Sequence, residues 1–423
     1  MTALGWQHLT SDDKRELLRR IRSGEGGRGP LHVEVHPADR CNIDCFFCST
    51  ATLRGTDEVP VRTFVDFIHE LRLAGTRSIR LAGGGEPLFH RQIRELLEAI
   101  AREKMPIENI TTNGVLITDK VVPLLLDGCD EITLSLNTAD PVTYAQMMQT
   151  TEKNFERVVR NATHLIAERD RRRAPGPRVV AQYLVWKDNF RSIERMYDLA
   201  REMNADSIVF NGLSHLRPEQ NMTEGETDEM MALYRKVVER DGYRTIDVIG
   251  SFEQDLRPRV AAMNAELHQE RIDRSLLSRA REFFDQSDFT LTQKWRHHWR
   301  VRRSRDVERR TEGHATSCVI GWYSMVVRTS GEVGPCCILQ GKPLGNVYRQ
   351  SLDEVWNSEG YVAFRNELTR MMREGAAWET APSDRFVEKL CGGSTAFCPI
   401  VDFYFKTDVG FMEGLQGVMH AAS

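Results

Sequence analysis

The chain has no run of about eighteen apolar residues, the length a helix needs to cross a bilayer, so no membrane span is expected. It also lacks a strong charge of either sign. Across 423 residues, 57 Lys and Arg stand against 61 Asp and Glu, a formal net charge of −4. The molecule as a whole therefore carries no polyanion-binding signature. The N-terminal stretch MTALGWQHLTSDDKRELLRRIRSGEGG has no apolar signal core before a cleavage site. It reads instead as a short helix from Ser11 to Arg22, opened by Thr10 and the acids Asp12 and Asp13. These absences lead to the expectation of a soluble, cytoplasmic protein. There is no internal repeat and no low-complexity tract. Cysteine is sparse, nine in all, but it is not scattered. Cys41, Cys45 and Cys48 fall within eight residues, and Cys318, Cys336, Cys337, Cys391 and Cys398 form a late group, while Cys129 stands alone. In a reducing compartment, clustered cysteines are metal ligands more often than disulfides.

A hydrophobic content of 41% over this length allows two or three domains with real cores. From residue 31 to about 240, short β-rich runs alternate with amphipathic helical stretches. The strand candidates are 31–35, 78–82, 108–112, 131–136, 179–186 and 206–210; VRTFVDFIHELRLAG and NFERVVRNATHLIAERD have helical spacing between them. Six βα units predict an α/β fold with a parallel sheet, curved or closed as a six-stranded barrel. In such folds the site lies at the carboxyl ends of the strands. The unusual residues sort onto that rim: the first cysteines after strand one, GGGEP (83–87) after strand two, TNG (112–114) after strand three, Ser135–Leu136–Asn137 at strand four and FNGL (210–213) at strand six. Residues 241–317 read as charged and mostly helical, and 318 opens a second region with the hairpin-like CVIGWYSMVVRTSGEVGPCC, turning at its SG.

Cys41-x3-Cys45-x2-Cys48 carries most of the chemistry. A structural zinc site wants four ligands and a closed shell; a zinc knuckle with its fourth ligand elsewhere is the plain alternative. A four-iron cluster on three thiolates instead leaves one iron open to a small molecule, which an amino acid's amine and carboxylate would complete as a chelate. Phe46 and Phe47 would shield such a loop, or simply fill a core.

On these residues the chain resembles the radical S-adenosylmethionine (SAM) enzymes: the cysteine motif, GGEP, TNG and the SLN strand end occur in family order over about 31–240. The resemblance implies a (β/α)6 partial barrel, a [4Fe–4S] cluster on Cys41, Cys45 and Cys48, SAM on its open iron, and one-electron cleavage of SAM to a 5′-deoxyadenosyl radical that removes a hydrogen atom from substrate. It also implies a reducing partner such as flavodoxin or ferredoxin. By position, Gly84, Gly85 and Glu86 would receive the methionine amine, where glycines permit close backbone approach and a carboxylate or carbonyl accepts from an ammonium. Ser135 and Asn137, alternating around Leu136, would face the ribose; Phe47 would lie near the adenine. Thr112 and Asn113 are rim residues, although TNG reads equally well as a turn, and Gln182 on strand five could reach the cofactor.

Cys318-x12-Gly331-x4-Cys336 and the downstream LGNVYRQSLDEVWNSEGYVAFR resemble a SPASM/twitch auxiliary-cluster domain over roughly 318–400. A full SPASM domain uses seven cysteines for two clusters. Five are present here, and Cys391-x6-Cys398 departs from the usual spacing. The resemblance therefore implies one auxiliary [4Fe–4S] cluster on Cys318, Cys336, Cys391 and Cys398, with a four-cysteine zinc site as the alternative. Cys129 reads as a small buried hydrophobe. Cys337 reads as packing or as a thiol near the substrate. The expected layout is a helical extension (1–30), the barrel (31–240), a helical substrate wall (241–317) and the auxiliary domain (318–423).

The basic aromatic segment 293–310 has the i, i+4 spacing of an ordinary helix, which makes nucleic-acid binding the weaker reading. RDRRRAPGPR (169–178) falls in a solvated loop at the barrel bottom. About thirty residues precede the first strand, too few for a peptide-recognition module, so a small carbohydrate-like molecule of secondary metabolism, including antibiotic biosynthesis, is the expected substrate. Epimerisation of a carbinol carbon leads, with two-electron dehydrogenation, peptide maturation and a non-catalytic iron–sulfur or zinc protein as alternatives. Fold alone does not name a substrate.

Overall fold

The computed structural model describes residues 6–48, 50–51, 54–172, 176–213, 222–241, 246–250, 318–336 and 343–374. A helix α1 (Ser11–Ser23) comes first. Thr10 caps it by a reciprocal capping box with Asp13, and Gly24 ends it at φ 78°. The barrel strands then follow as expected: β1 (His32–Val35), β2 (Ser78–Leu81), β3 (Ile107–Thr112), β4 (Glu131–Ser135), β5 (Arg178–Val185) and β6 (Ser207–Gly212). Between them run α2 (Val61–Ala74), α3 (Ile93–Arg102), α4 (Val122–Gly128), α5 (Pro141–Met147), α6 (Glu152–Arg171) and α7 (Ile193–Glu202), with α8 (Glu224–Asp241) after β6.

Two features depart from the sequence reading. A strand β7 (Ile246–Gly250) lies where a helical insert was expected, and it extends the parallel sheet beyond β6. The auxiliary region is also not a free-standing sheet. Its β8 (Ser324–Val327) pairs in parallel with β1, His32 opposite Ser324. β9 (Glu332–Gly334) and β10 (Gly345–Asn346) continue antiparallel, so one ten-stranded open sheet runs β10-β9-β8-β1-β2-β3-β4-β5-β6-β7. Sequence alternation could not show this pairing, because β8 is a four-residue apolar run like many others. The helices α9 (Ile320–Tyr323), α10 (Leu352–Trp356) and α11 (Glu359–Glu374) complete the described part.

Strand alternation divides the two sheet faces sharply. Val33, Val35, Ile79, Leu81, Ile110, Leu134, Ala181, Tyr183 and Phe210 are buried in the apolar core against the helices. Their neighbours Glu34, Arg80, Asn109, Thr111, Thr133, Ser135, Gln182 and Asn211 take the opposite, inner face. The described residues contain no helix long and apolar enough to cross a membrane.

Candidate functional site

The loop after β1 is built onto the barrel rim by backbone hydrogen bonds. Asp44 N donates to Met148 O at 3.1 Å and Phe46 N to Met147 O at 3.1 Å. Cys41, Cys45 and Cys48 are all half-buried on it. Each sulfur has polar or soft company: Asn113 Nδ2 lies 3.8 Å from Cys41 Sγ, Cys45 Sγ lies 3.5 Å from Met148 Sδ, and Cys48 Sγ lies 3.3 Å from Thr50 Oγ1. Burial pushes the Cys45 thiol up to about 12, and thiolate charge on Cys41 and Cys48 adds to the shift; burial raises Cys41 too. The three sulfurs thus lie in one another's field, and three bare thiolates there would repel. A cationic iron group removes that penalty and deprotonates its ligands outright. Among the described residues no three His, Cys, Asp or Glu side chains are gathered as a ready-made ion cage. The donor chemistry, three soft sulfurs on one short loop, is what fits an iron–sulfur cluster.

The turn after β2 is locked against this loop. Gly83 and Gly84 have φ of 80° and 66°, and a Cβ on Gly85 would stand 1.9 Å from the Arg40 carbonyl oxygen. Gly85 N donates to Ala38 O at 2.7 Å, Glu86 N to Arg40 O at 2.9 Å, and Thr50 Oγ1 to Gly84 O at 2.7 Å. The Glu86 carboxylate points inward. It accepts from Thr112 Oγ1 at 2.6 Å, from Asn113 N at 2.8 Å and from Leu88 N at 3.2 Å. Burial nevertheless raises it to about 6. The motif GGEP therefore works as a brace between β2 and β3. With the carboxylate so engaged, backbone carbonyls are the acceptors this turn has to offer an ammonium. Asn113 extends the brace: its Nδ2 donates to Asn42 Oδ1 at 2.8 Å and its Oδ1 accepts from Val115 N at 3.1 Å.

At the end of β4 the expectation of simple alternation fails. The strand stops at Ser135, and Asn137 adopts φ 63°. Leu136 N and Asn137 N both donate to Gln182 O, at 3.1 and 2.9 Å. Ser135 keeps its inner-face position, but Asn137 is turned toward Met148 Sδ, 3.4 Å from its Nδ2, and its buried Oδ1 has no hydrogen-bond partner among the described residues. Among the described residues, the buried Tyr144 hydroxyl and the Trp186 Nε1 are likewise without one. Phe47 packs partly on the core and meets Phe46 edge-on at 5.3 Å, while Phe46 also meets Trp186 at 5.3 Å. Sequence reading missed Thr50, Tyr144, Met148, Trp186 and Asn189. Asn189 Nδ2 bonds Leu184 O at 2.7 Å and so fixes the turn beneath Trp186. No spacing signal marks these residues; only the fold brings them to the rim.

Cys318 and Cys336 are buried on either side of the β8–β9 hairpin, whose turn glycine Gly331 has φ 79°. Thr329 Oγ1 on that hairpin donates to Asp39 Oδ2 at 2.7 Å, tying the auxiliary region to the first cysteine loop. Burial raises the Asp39 carboxyl. Cys337, Cys391, Cys398 and the segment 293–310 lie outside the described residues. Cys129 is buried and precedes β4, away from the rim.

The model describing the radical SAM superfamily matches residues 35–208, and the SPASM model, an iron–sulfur cluster-binding domain, matches residues 318–377. The chain is 30% identical over 159 residues to GTP 3′,8-cyclase of Mycobacterium marinum, a match covering 34% of this chain and 43% of that one. It thus spans less than half the length of the curated relatives it matches. The fold resembles the crystal structure of Streptococcus suis SuiB bound to S-adenosylmethionine, with TM-score 0.56, 15% identity and coverage of 91% and 76% of the two chains. It also resembles native anSMEcpe with bound AdoMet, with TM-score 0.52, 15% identity and coverage of 93% and 100%.

Proposed function

Since the chain belongs to the radical SAM superfamily and carries a C-terminal SPASM iron–sulfur domain, we propose that it removes a hydrogen atom from an unactivated C–H bond of a small polar molecule. The observation that carries this reading is the shared rim: Thr50 and Asn113 join Cys48, Cys41, the Gly84–Glu86 brace and the end of β3, and Met148 Sδ lies between Cys45 Sγ and Asn137 Nδ2 just after β4. Cys41, Cys45 and Cys48 would hold the cluster. Gly84 and Gly85 would offer carbonyls to the methionine amine, with Glu86 holding them in place. Ser135, Asn137 and Gln182 would line the nucleoside, and Phe47 its base. When bound, the cluster and SAM supply one-electron reductive cleavage of SAM to methionine and a 5′-deoxyadenosyl radical, the hydrogen-abstracting species.

For the reaction itself we propose epimerisation of a carbinol carbon. The Cys337 S–H would return a hydrogen atom to the opposite face of the substrate radical, and the sulfur radical left behind would be restored to thiol by one electron and one proton from the reducing partner. A neutral thiol serves, so an ordinary cysteine pKa suffices. Cys318, Cys336, Cys391 and Cys398 would hold one auxiliary cluster. The inner-face arginines give little support to a triphosphate substrate like that of the cyclases: Arg80 stands 4.0 Å from Glu34 and Arg178 3.4 Å from Glu131, so each cation already faces a carboxylate.

Anaerobic, reduced, reconstituted protein with SAM should release 5′-deoxyadenosine, and the Cys41→Ala/Cys45→Ala/Cys48→Ala variant should release none. Continued SAM cleavage by the triple variant, or zinc and no iron in the wild type, would overturn the assignment. In deuterated water the epimerase places one deuterium at the inverted carbon, whereas a product lighter by two hydrogens and free of solvent deuterium identifies a dehydrogenase.

A further inference from the structure

The inner face of the sheet is largely polar and mixes buried positions, such as Glu34, Asn109 and Thr133, with part-exposed ones. Its outer-face residues Ile79, Ile110, Leu134, Ala181 and Tyr183 are fully buried. By contrast, Arg80, Thr111, Ser135, Gln182 and Leu184, which alternate with them, each keep partial exposure. These part-exposed positions lie on the neighbouring strands β2 to β5 and outline a space on the inner face beneath the rim. One wall of it, on β1 to β3, is a connected polar surface. Glu34 Oε1 lies 3.3 Å from His36 Nε2, and Glu34 Oε2 lies 4.0 Å from Arg80 Nε. Arg80 Nη2 donates to Thr111 Oγ1 at 3.0 Å, and Thr111 Oγ1 donates to Asn109 Oδ1 at 2.9 Å. On β6, Asn211 is only 6% exposed and shares the inner face with Leu184, its register partner. Its Oδ1 has no hydrogen-bond partner among the described residues. A buried acceptor left unmade is destabilising, and a ligand donor would remove that cost.

We propose that this space is a substrate site for an uncharged polyhydroxylated ring, with Glu34, Arg80 and Thr111 on one wall and Asn211 on another; this rests on the radical SAM reading above. A hydroxyl group both donates and accepts, so it satisfies the mixed set: it donates to Glu34 or to Asn211 Oδ1 and accepts from Arg80. An anionic ligand matches poorly, because the guanidinium already faces Glu34 and an added phosphate would meet that carboxylate. A peptide backbone would bring its donors and acceptors at fixed spacing along a strand, and the side-chain wall offers no exposed sheet edge to receive them. His36 sets the position of Glu34. A Cβ on Gly83 would stand 2.3 Å from His36 Nε2, so the same imidazole also lies against the turn that braces the cofactor rim.

The test is equilibrium dialysis of anaerobically reconstituted, SAM-loaded full-length protein against radiolabelled glucose, myo-inositol, glucose 6-phosphate and a ten-residue Gly/Ser/Ala peptide. Glucose or myo-inositol should bind more tightly than the phosphate and the peptide. Glu34→Gln and Thr111→Val should each weaken that binding about tenfold; Asn211→Leu, on the other wall, should do the same and serves if either of the first two fails to fold. Absence of polyol binding, tighter binding of the phosphate or the peptide, or wild-type affinity in the folded variants would each overturn the proposal. Failure of the radical SAM reading looks different: polyol binds the wild type, yet reductant and SAM yield no 5′-deoxyadenosine.

Discussion

Glu86 concentrates the physics of the rim in one side chain. It is 3% exposed, and burial alone would drive it far up; three hydrogen bonds from Thr112, Asn113 and Leu88 hold it to about 6. Its folded value thus lies above the ordinary carboxyl value of 4.5. Between these values the folded state binds more protons than the unfolded state, so folding stability contributed by this group falls as pH rises from about 4.5 to 6. The loss is about 2 kcal/mol at 1.36 kcal/mol per unit. Urea unfolding of the cluster-free protein at pH 4.5 and 6.5 should show it as a decline relative to Glu86→Gln, whose side chain does not titrate. Equal pH dependence in the two proteins would remove Glu86 as the cause. At pH 4.5 the amide should itself cost about 1–3 kcal/mol, since its NH2 cannot accept from the donors that surround it.

Among the elements, the segment before β1 has a role that its sequence did not announce. Trp6 is 6% exposed and packs on Tyr323 of α9 at 5.6 Å between ring centroids. Asp13 of α1 pairs with Arg77 at 2.8 Å, and Gly26 O accepts from Trp356 Nε1 of α10 at 2.8 Å. The extension therefore clasps the barrel to the auxiliary region at the foot of the sheet. Trp6→Ala should cost about 3–5 kcal/mol, read as a lowered urea midpoint in the cluster-free protein. A midpoint unchanged within error would mean that the clasp contributes nothing. The rim lies at the other ends of the strands, so thiol accessibility of Cys41, Cys45 and Cys48 to an alkylating reagent in the folded variant should stay as in the wild type.

Among the described residues, β8 beside β1 and the Asp39–Thr329 hydrogen bond tie the hairpin flanked by Cys318 and Cys336 to the strand and loop that carry the first cysteines. Two four-iron clusters predict about eight irons per chain. Cys318→Ala should retain about four and still show the spectroscopic change of the first cluster on adding SAM, because a cluster with four protein ligands has no open iron. Loss of that change in Cys318→Ala, or a SAM-induced change at the auxiliary cluster itself, would reverse the division of labour between the two regions.

What the sequence determined by itself was local. Alternation placed six parallel strands within a residue or two, the cap at Thr10 was legible in its side-chain types, and the cysteine spacing and GGGEP turn named the family, because short-range spacing and turn chemistry are written in consecutive residues. Tertiary structure alone decided the rest. It turned Glu86 inward as a brace, since the donors of Thr112 and Asn113 reach it only when β3 lies beside β2. It broke the expected alternation at Asn137, where the two backbone N–H groups of Leu136 and Asn137 converge on one carbonyl of β5. It added β8 to the edge of β1 from nearly three hundred residues away and brought Arg80 of β2 to face Glu34 of β1. Such contacts join residues distant in the chain, and no local pattern encodes which strand edges pair or which polar side chains end up facing one another.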